Sequence, residues 1–395
     1  MTPSRRGVLT GIGAAAVTPA GATTRGGNTE IGLALDAAMA LPVDDALSRL
    51  APFRLDDAGP GRRLDLQAAR AGLAIDRALT AARGEAASFS LRLQRIVGND
   101  ATLDRVARDL DDAHRASTAA ADRLFQRLGI AGRSSGARFE ALWRNPRWLF
   151  ADDDAGRASA VTAMRATLAA IRPRLPHVLG PLPPECLAVD VRALDAAEIA
   201  AGKGGYRVLP SAGSQGLYVV DLKEVRRRPL FTLPSVVAHE LLPGHMTQMP
   251  LEALARPHPL RLRYAAAFSE GWGIYAERLM ATDGLYTCPE DMLGHLHWML
   301  FRIARGLADI AIHVRGIAPD QAEAAMRETL GEPAYFAPFA GDVARIVAEP
   351  ATRAGEAWLP LRLDRTRPTS RAGWPAWHAG LLRHGRLRTD MIRSR

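Results

Sequence analysis

The chain has 395 residues, enough for one large domain or two ordinary ones. Its composition, 48% hydrophobic and 24% charged residues, is that of a globular protein. No stretch reaches the roughly 18 uncharged apolar residues that a spanning helix needs, so we expect no stable membrane insertion after processing. The net charge of +9 comes mainly from arginines scattered among acidic residues, without a basic block, which argues against nucleic acid as a partner.

The first residues are typical of an export signal. Arg5-Arg6 precedes a short, weakly apolar run over residues 7–17, and residues 20–22 offer a small-residue cleavage site. Residues 1–22 therefore resemble a signal peptide of the twin-arginine type, which predicts a periplasmic or secreted protein. Residues 23–30 are predicted to be a flexible linker.

The pattern from 31 to 175 is helical, because apolar residues recur at steps of three, four and seven with charges between them. Helices are predicted over the following stretches: 64–83, 86–97, 103–128, 136–145 and 155–173. This region contains no candidate chemistry and is predicted to flank a cleft. A Pro-rich segment around residues 176–186 then indicates a domain boundary.

A short β element precedes a second helical region. Residues 206–209 and 217–221 are predicted strands joined by a turn, and helices are predicted over the stretches 232–243, 262–282, 289–315, 319–330 and 338–349. The predicted fold class is therefore mostly α, a multi-helical protein with a small hairpin or sheet beside an active-site cleft. We place a catalytic domain at 181–365 and a carboxy-terminal tail at 366–395. Cys186 and Cys288 could form one bridge or remain free thiols.

Residues 238–245 read Ala-His-Glu-Leu-Leu-Pro-Gly-His and carry the strongest chemical signal. Neutral imidazoles such as those of His239 and His245 bind zinc, and a carboxylate beside them, here Glu240, can take a proton from water at the metal. The motif therefore predicts a hydrolytic zinc centre with one Zn²⁺ ion.

The two histidines are six residues apart, which is not the usual spacing of four on one helix face. At about 100° per residue, an ideal helix would point the second ring away from the first. Pro243 cannot donate the helical hydrogen bond, and Gly244 tolerates unusual backbone angles. We therefore predict that the helix breaks here and returns His245 to the metal.

A third ligand is expected from residues 268–277, which read Phe-Ser-Glu-Gly-Trp-Gly-Ile-Tyr-Ala-Glu. Glu270 and Glu277 are seven residues apart and so share one helix face. One of them can bind the metal while the other supports a histidine ligand. Trp272 and Tyr275 are interpreted as packing residues that fix this helix, with Tyr275 kept as a candidate near the site.

The motif His-Glu-x-x-Pro-Gly-His followed by Glu-Gly-Trp-x-x-Tyr-x-Glu resembles the bacterial family catalogued as domain of unknown function 885. Members of that family are similar to zinc peptidases of the gluzincin type. The resemblance implies that Glu270 is the third zinc ligand and that Glu240 is the general base.

The resemblance extends over roughly residues 181–350. The segment Arg-x-x-Arg-x-x-x-Asp-x-x-x-His that begins at Arg302 is similar to a helix of the family. It implies that His313 and Asp309 support the ligands or stabilise an oxyanion, and we count His313 as a candidate catalytic residue.

The carboxy-terminal part departs from the family pattern, which has Arg-Tyr, then Pro-Gly-Gln, then Tyr. Arg345 and Pro350 are retained, but Ile346 follows the arginine and Glu356 stands at the later tyrosine position. If a tyrosine hydroxyl stabilises the oxyanion in active members of the family, this chain lacks that hydroxyl at that place. Arg345 is a candidate partner for a substrate carboxylate, the alternative being a structural ion pair.

The sequence thus predicts a zinc-dependent hydrolase acting on a peptide or small amide. Two alternatives remain open: a catalytically degenerate zinc-binding family member that acts as a binding protein, and a hydrolase of non-peptide amides or esters. An open cleft at the metal favours an enzyme, whereas a plugged site favours a binding protein. The sequence leaves the oligomeric state undefined.

Overall fold

Nineteen α-helices form most of the chain that the computed structural model describes, namely residues 25–211, 213–331 and 339–392. The helices before the sheet are α1 (Arg25–Ala38), α2 (Val43–Leu50), α3 (Pro60–Ala81), α4 (Glu85–Ile96), α5 (Leu103–Arg127), α6 (Ser135–Arg144), α7 (Asp154–Ile171), α8 (Leu175–Val178) and α9 (Pro184–Leu187). The helices within and after the sheet are α10 (Ala196–Ala200), α11 (Leu233–Glu240), α12 (His245–Ala255), α13 (Pro259–Tyr264), α14 (Phe268–Thr282), α15 (Pro289–Arg315), α16 (Pro319–Leu330), α17 (Phe339–Ala348), α18 (Thr352–Thr366) and α19 (Trp374–Leu382).

The amino-terminal helices follow the apolar periodicity, and α3 to α7 lie within a few residues of the predicted stretches. The predicted linker over 23–30 is wrong where it is described, because α1 already begins at Arg25. Its apolar face, which includes Ile31 and Leu35, is buried in a small core shared with α2 and α3. Burial of that face stabilises a helix whose first residues look like a linker by composition. The predicted signal peptide over 1–22 lies outside the described residues.

The sheet has three strands, β1 (Val189–Ala193), β2 (Tyr206–Val208) and β3 (Gly216–Val220), in the order β1-β3-β2. Strands β2 and β3 form the predicted antiparallel pair, with Arg207 opposite Tyr218. Strand β1, which the sequence analysis missed, pairs parallel to β3. The fold class is confirmed as mostly α with a small sheet.

The main hydrophobic core draws its buried residues from Phe89 to Ile392, and the small core of α1 to α3 is separate from it. The predicted boundary near 176–186 does not separate two cores, because Val178 and Leu179 of that segment are themselves buried in the main one. The described part of the predicted tail, residues 366–392, is likewise packed into the main core. Within it, α19 buries Trp374 against the same core.

Helix α15 has 27 residues and packs against α5, α16, α17 and α18. At 1.5 Å per residue its length is about 40 Å, so residues near its two ends are far apart. No helix in the described ranges has the length and apolar character needed to cross a bilayer. Cys186 and Cys288 are both free thiols.

Candidate metal centre

The helix carrying the first motif histidine breaks where the sequence predicts. Helix α11 ends at Glu240, and α12 begins at His245. Gly244 permits the tight turn between them, since a Cβ there would lie 1.8 Å from the carbonyl oxygen of His239. The indole Nε1 of Trp272 donates to the carbonyl oxygen of Pro243 at 2.9 Å and so ties the turn to α14. As a result, the rings of His239 and His245 have centroids only 4.8 Å apart.

Glu270, in the first turn of α14, completes a three-residue cluster. Its Oε2 lies 3.6 Å from Nε2 of His239 and 3.6 Å from Nε2 of His245. Zinc bonds of about 2.0–2.1 Å in a tetrahedron place ligand atoms roughly 3.4 Å apart. Both ring nitrogens of the buried His245 lack a hydrogen-bond partner among the described residues. The donor set, its spacing and this unsatisfied imidazole fit a zinc ion held by the three side chains.

Helix α14 also fixes the orientation of His239. Glu277, two turns after Glu270, lies with Oε1 2.7 Å from Nδ1 of His239. A hydrogen bond at Nδ1 leaves Nε2 to face the cluster. The close approach of α14 requires Gly273, because a Cβ there would lie 2.7 Å from Cε1 of His239.

The cluster electrostatically favours a cation. Burial lowers the pKa of His239, but the charge of Glu270 and hydrogen bonds to Glu270 and Glu277 outweigh that effect and raise it to about 9. Burial raises the pKa of Glu270, yet His239 and Arg302 hold it well below its usual range. The two acidic side chains therefore stabilise a positive charge at His239, whereas burial lowers the pKa of His245.

Glu240 lies beside the cluster and faces a cleft. Its carboxylate accepts a hydrogen bond from the guanidinium of Arg207 on β2. Burial raises the pKa of Glu240, but the charges of His239 and Arg207 reverse this and lower it. The side chain is therefore an ionised carboxylate near neutral pH, the state that can accept a proton.

The cleft has a volume of about 1220 Å³ and is bounded by the sheet on one side. His239, Glu240 and Glu277 line it, together with Tyr218 of β3. Basic side chains line it too: Arg207, Lys223, Arg227, Arg228, Arg302 and Arg345. This space exceeds the roughly 300–1,000 Å³ of most small-molecule sites and suits a segment of peptide.

Arg302 of α15 holds the other oxygen of Glu270. Its Nη1 lies 3.2 Å from Oε1 of Glu270, and the guanidinium lies over the ring of Trp298. One carboxylate oxygen is therefore engaged by Arg302 while the other faces the two histidines. The sequence analysis placed Arg302 only in the family-like helix pattern, and missed its contact with Glu270 and that of Arg207 with Glu240.

The structure does not bring His313 to the cluster. His313 lies in the last turn of α15, eleven residues after Arg302, a separation of about 16 Å along a helix. Its Nε2 donates to the carbonyl oxygen of Ile346 at 2.9 Å. Its candidate catalytic role is therefore corrected to a structural one, a hydrogen bond between α15 and α17.

Asp309 is also remote from the cluster, one turn before His313 on α15. Its carboxylate accepts hydrogen bonds from the backbone N–H groups of Ala351 and Ala354 at 3.0 and 3.1 Å. These bonds satisfy free donors at the amino terminus of α18. Burial raises the pKa of Asp309 to about 6, although those N–H groups oppose the shift. The role near the ligands predicted for Asp309 is corrected to helix capping.

Tyr275 and Arg345 lie in different surroundings. The hydroxyl of Tyr275 is buried, 2.8 Å from Nε2 of His378 and 3.0 Å from Nη1 of Arg367, and so joins α14 to the carboxy-terminal helices. This contact is the packing role interpreted for Tyr275. Arg345 bonds to Asp342 at 3.0 Å, yet its side chain is 56% exposed and lines the cleft.

Fold and cluster together define a mostly helical protein with a His-His-Glu arrangement able to hold a cation beside a cleft that His239 lines. The chain belongs to the family described as bacterial protein of unknown function (DUF885), whose model matches residues 6–395. The family match therefore extends well beyond residues 181–350, to which the motifs alone had limited the resemblance. Comparison with curated proteins gave no match.

Two solved structures are similar over most of the chain. One is a candidate lipoprotein from Colwellia psychrerythraea, with a TM-score of 0.69 and 20% identity over 91% of this chain and 71% of that one. The other is a candidate lipoprotein of unknown function from Shewanella oneidensis, with a TM-score of 0.60 and 19% identity over 92% of this chain and 72% of that one. At these identities the likeness shows a shared fold alone.

Proposed function

We propose that this chain is an exported, zinc-dependent hydrolase of peptide bonds. The observation that carries the proposal is the convergence of His239, His245 and Glu270, whose ligand atoms all lie within 4.8 Å of one another. Glu240 adjoins them at an open cleft. The motifs that resemble those of gluzincin-type peptidases also support a zinc-dependent hydrolase of peptide bonds.

His239, His245 and Glu270 would hold the zinc ion, and a bound zinc ion supplies Lewis acidity and lowers the pKa of water. Glu240 takes a proton from the attacking water and delivers it to the leaving amine as the carbon–nitrogen bond breaks. Arg207 keeps that carboxylate ionised and oriented through its hydrogen bond. Glu277 fixes the tautomer and ring plane of His239 through Nδ1.

Export is supported by the pattern of residues 1–22, with Arg5-Arg6 before a weakly apolar run. The two similar structures are of candidate lipoproteins, which is compatible with a chain that leaves the cytoplasm. We therefore assign this protein to the periplasm or the exterior, with the twin-arginine route as the proposed path.

A second candidate is a zinc-binding relative without turnover, and Glu356 at the expected tyrosine position favours it. The open cleft favours an enzyme instead, acting on a peptide or on a non-peptide amide or ester. Tyr218 lines that cleft from β3, so a phenol is present there from another part of the chain.

Metal content and peptide cleavage, measured on the same purified mature samples, test the proposal. Wild type is expected to carry about one zinc per chain and to cut a peptide library. His239→Ala should lose both zinc and cleavage, whereas Glu240→Gln should keep zinc and lose cleavage. His177→Ala, at an exposed position on α8, is the control. A wild-type chain that binds no zinc even when zinc is supplied would refute the proposal, and zinc without cleavage would favour the binding protein or a non-peptide substrate.

A further inference from the structure

A second cavity, of about 240 Å³, adjoins the metal centre and shares Glu270 with it. It lies between α14, α15, α17 and α18. Its charged lining consists of four guanidinium groups and three carboxylates: Arg302, Arg305, Arg345, Arg353, Glu270, Asp342 and Glu356. Cations therefore outnumber anions in a space that opens beside a proposed zinc ligand.

Two of these arginines contact carboxylates of the lining through Nη1, although Nε of each has no hydrogen-bond partner among the described residues. Arg302 pairs with Glu270 at 3.2 Å, and Arg353 holds both oxygens of Glu356 through Nη1 at 3.0 and 2.8 Å. These pairs leave Asp342 as the single lining carboxylate for the remaining two guanidinium groups.

Arg305 differs from Arg302 and Arg353 because its ion pair with a lining carboxylate is too long for a hydrogen bond. Asp342 accepts a hydrogen bond from Arg345 at 3.0 Å, and Nε of Arg305 lies 3.6 Å from the same oxygen, too far for a hydrogen bond. Nε of Arg305 has no hydrogen-bond partner among the described residues, and the residue is only 7% exposed. Burial lowers the pKa of Arg305 to about 10, so the group stays charged at neutral pH.

A buried charged donor without a partner is costly, because it has given up its hydration without gaining a compensating hydrogen bond. A guanidinium pair matches the two oxygens of a carboxylate, with short, charge-assisted hydrogen bonds. The ligand best suited to this cavity is therefore a small carboxylate that enters from the cleft, which Arg345 also lines.

We propose that this cavity binds the free carboxyl terminus of the peptide substrate, with Arg305 and Arg345 as its partners. The inference rests on the proposed peptidase function and specifies its substrate class. Because Glu270 borders both the cavity and the metal centre, a carboxylate anchored here places the scissile bond close to the carboxyl end. The enzyme is then a carboxypeptidase, which releases one amino acid or a very short peptide.

The reaction remains a simple hydrolysis. The oxygen of water bonds to the carbonyl carbon, the carbon–nitrogen bond breaks, and one proton of that water passes to the leaving amine. The leaving fragment keeps its original carboxylate on Arg305 and Arg345 until it dissociates.

The test compares two peptides that differ only at the carboxyl end, one with a free acid and one with an amide. Wild type is expected to cut the acid with a kcat/KM at least about tenfold higher, the effect of one charge-assisted hydrogen bond or more. In Arg305→Gln and Arg345→Gln the acid-to-amide ratio should fall towards one. Arg345 is half-exposed, so its variant keeps the test valid if the buried Arg305→Gln fails to fold. Arg108→Gln, exposed on α5, is the control. Equal cleavage of acid and amide by wild type overturns the proposal.

A binding measurement separates failure of this proposal from failure of the peptidase function. Calorimetry on the zinc-loaded chain compares N-acetyl-dialanine with its amide. Tighter binding of the acid, lost in Arg345→Gln, supports the carboxylate site even if no peptide is cut, in which case the peptidase function alone fails. Zinc-dependent cleavage without any preference for the acid in rate or binding leaves the peptidase function standing and overturns the carboxylate site.

Discussion

Oε1 of Glu277 lies 2.7 Å from Nδ1 of His239, although the two residues are 38 positions apart in the chain. Both side chains are almost fully buried, at 1% and 5% exposure. The contact joins α14 to the end of α11 and sets which ring nitrogen faces Glu270. A carboxylate in this position also raises the basicity of an imidazole ligand, which strengthens its bond to a metal.

Replacing Glu277 with Gln should weaken zinc binding by about 10- to 100-fold, because the ring of His239 loses its charged partner. The affinity is measured by competition with a chromophoric chelator. Glu328→Gln, at an exposed position on α16, is the matched control and should bind zinc as wild type does. An unchanged affinity in Glu277→Gln would mean that this hydrogen bond does not orient the ligand.

The absence of a side chain at Gly273 is a second requirement of the site. A Cβ there would lie 2.7 Å from Cε1 of His239, so Gly273→Ala should displace the ring and lower zinc affinity at least about tenfold. The matched control is Gly380→Ala on α19, whose added Cβ meets nothing within 4 Å. Circular dichroism should show both variants folded. Normal zinc binding by Gly273→Ala would contradict the close packing of α14 against the ring of His239.

Much of the site could be predicted because its signals are local. Pro243 and Gly244 predict the break between α11 and α12. The seven-residue spacing places Glu270 and Glu277 on one face of α14. Each inference needs only helix geometry and the backbone limits of proline and glycine. The β2–β3 pair was predictable for the same reason, since its strands flank a short turn.

The arginines of the site could not be found this way. Arg207, Arg302 and Arg305 are members of a large, scattered set of basic residues, and only tertiary contacts distinguish them. The shared core is also a tertiary property, because the periodicity of α4 to α7 shows that they bury a face but not against which helices. The role assigned to His313 failed because the motif does not show which residue of α15 contacts the cluster; that residue is Arg302, about 16 Å along the helix from His313.

His313 illustrates a prediction in which structure and motif disagree. His313→Gln should leave zinc content and any cleavage unchanged, because the residue is about 16 Å along α15 from Arg302. It should lower the free energy of unfolding by about 1 kcal/mol through the weakened bond to Ile346. Urea unfolding and the peptide assay test both parts. A folded variant that keeps zinc but loses activity would restore the catalytic role.

Ala351 carries backbone strain at a position where the family pattern has glycine. Its φ is 72°, in the left-handed region. Ala351 immediately precedes α18, and its backbone N–H donates to the carboxylate of Asp309. A left-handed conformation costs a non-glycine residue roughly 1–2 kcal/mol, part of which the greater flexibility of unfolded glycine offsets. Ala351→Gly should therefore raise the free energy of unfolding by about 0.5–1 kcal/mol in urea titrations. A loss of stability would show that the surrounding packing depends on the methyl group.

Buried His297 should make the protein sensitive to acid. Burial lowers its pKa to about 3, although a hydrogen bond from its Nε2 to the carbonyl oxygen of Leu330 opposes the shift. The unfolded chain binds this proton near pH 6.5, so the stabilisation is complete above that pH and is lost as the pH falls towards 3. For one such proton, the free energy of unfolding falls by about 1.4 kcal/mol for each pH unit of acidification in this range.

His297→Gln should therefore lose less stability than wild type between pH 7 and pH 5, whatever constant penalty the substitution adds. The free energy of unfolding is measured in urea at several pH values for both proteins. Its slope against pH is then compared between His297→Gln and wild type. His177→Gln, at an exposed position, is the control and should run parallel to wild type. Parallel lines for His297→Gln and wild type would show that His297 binds its proton equally well in the folded and unfolded chains, and that burial against Phe139 and Trp143 does not exclude the charged ring.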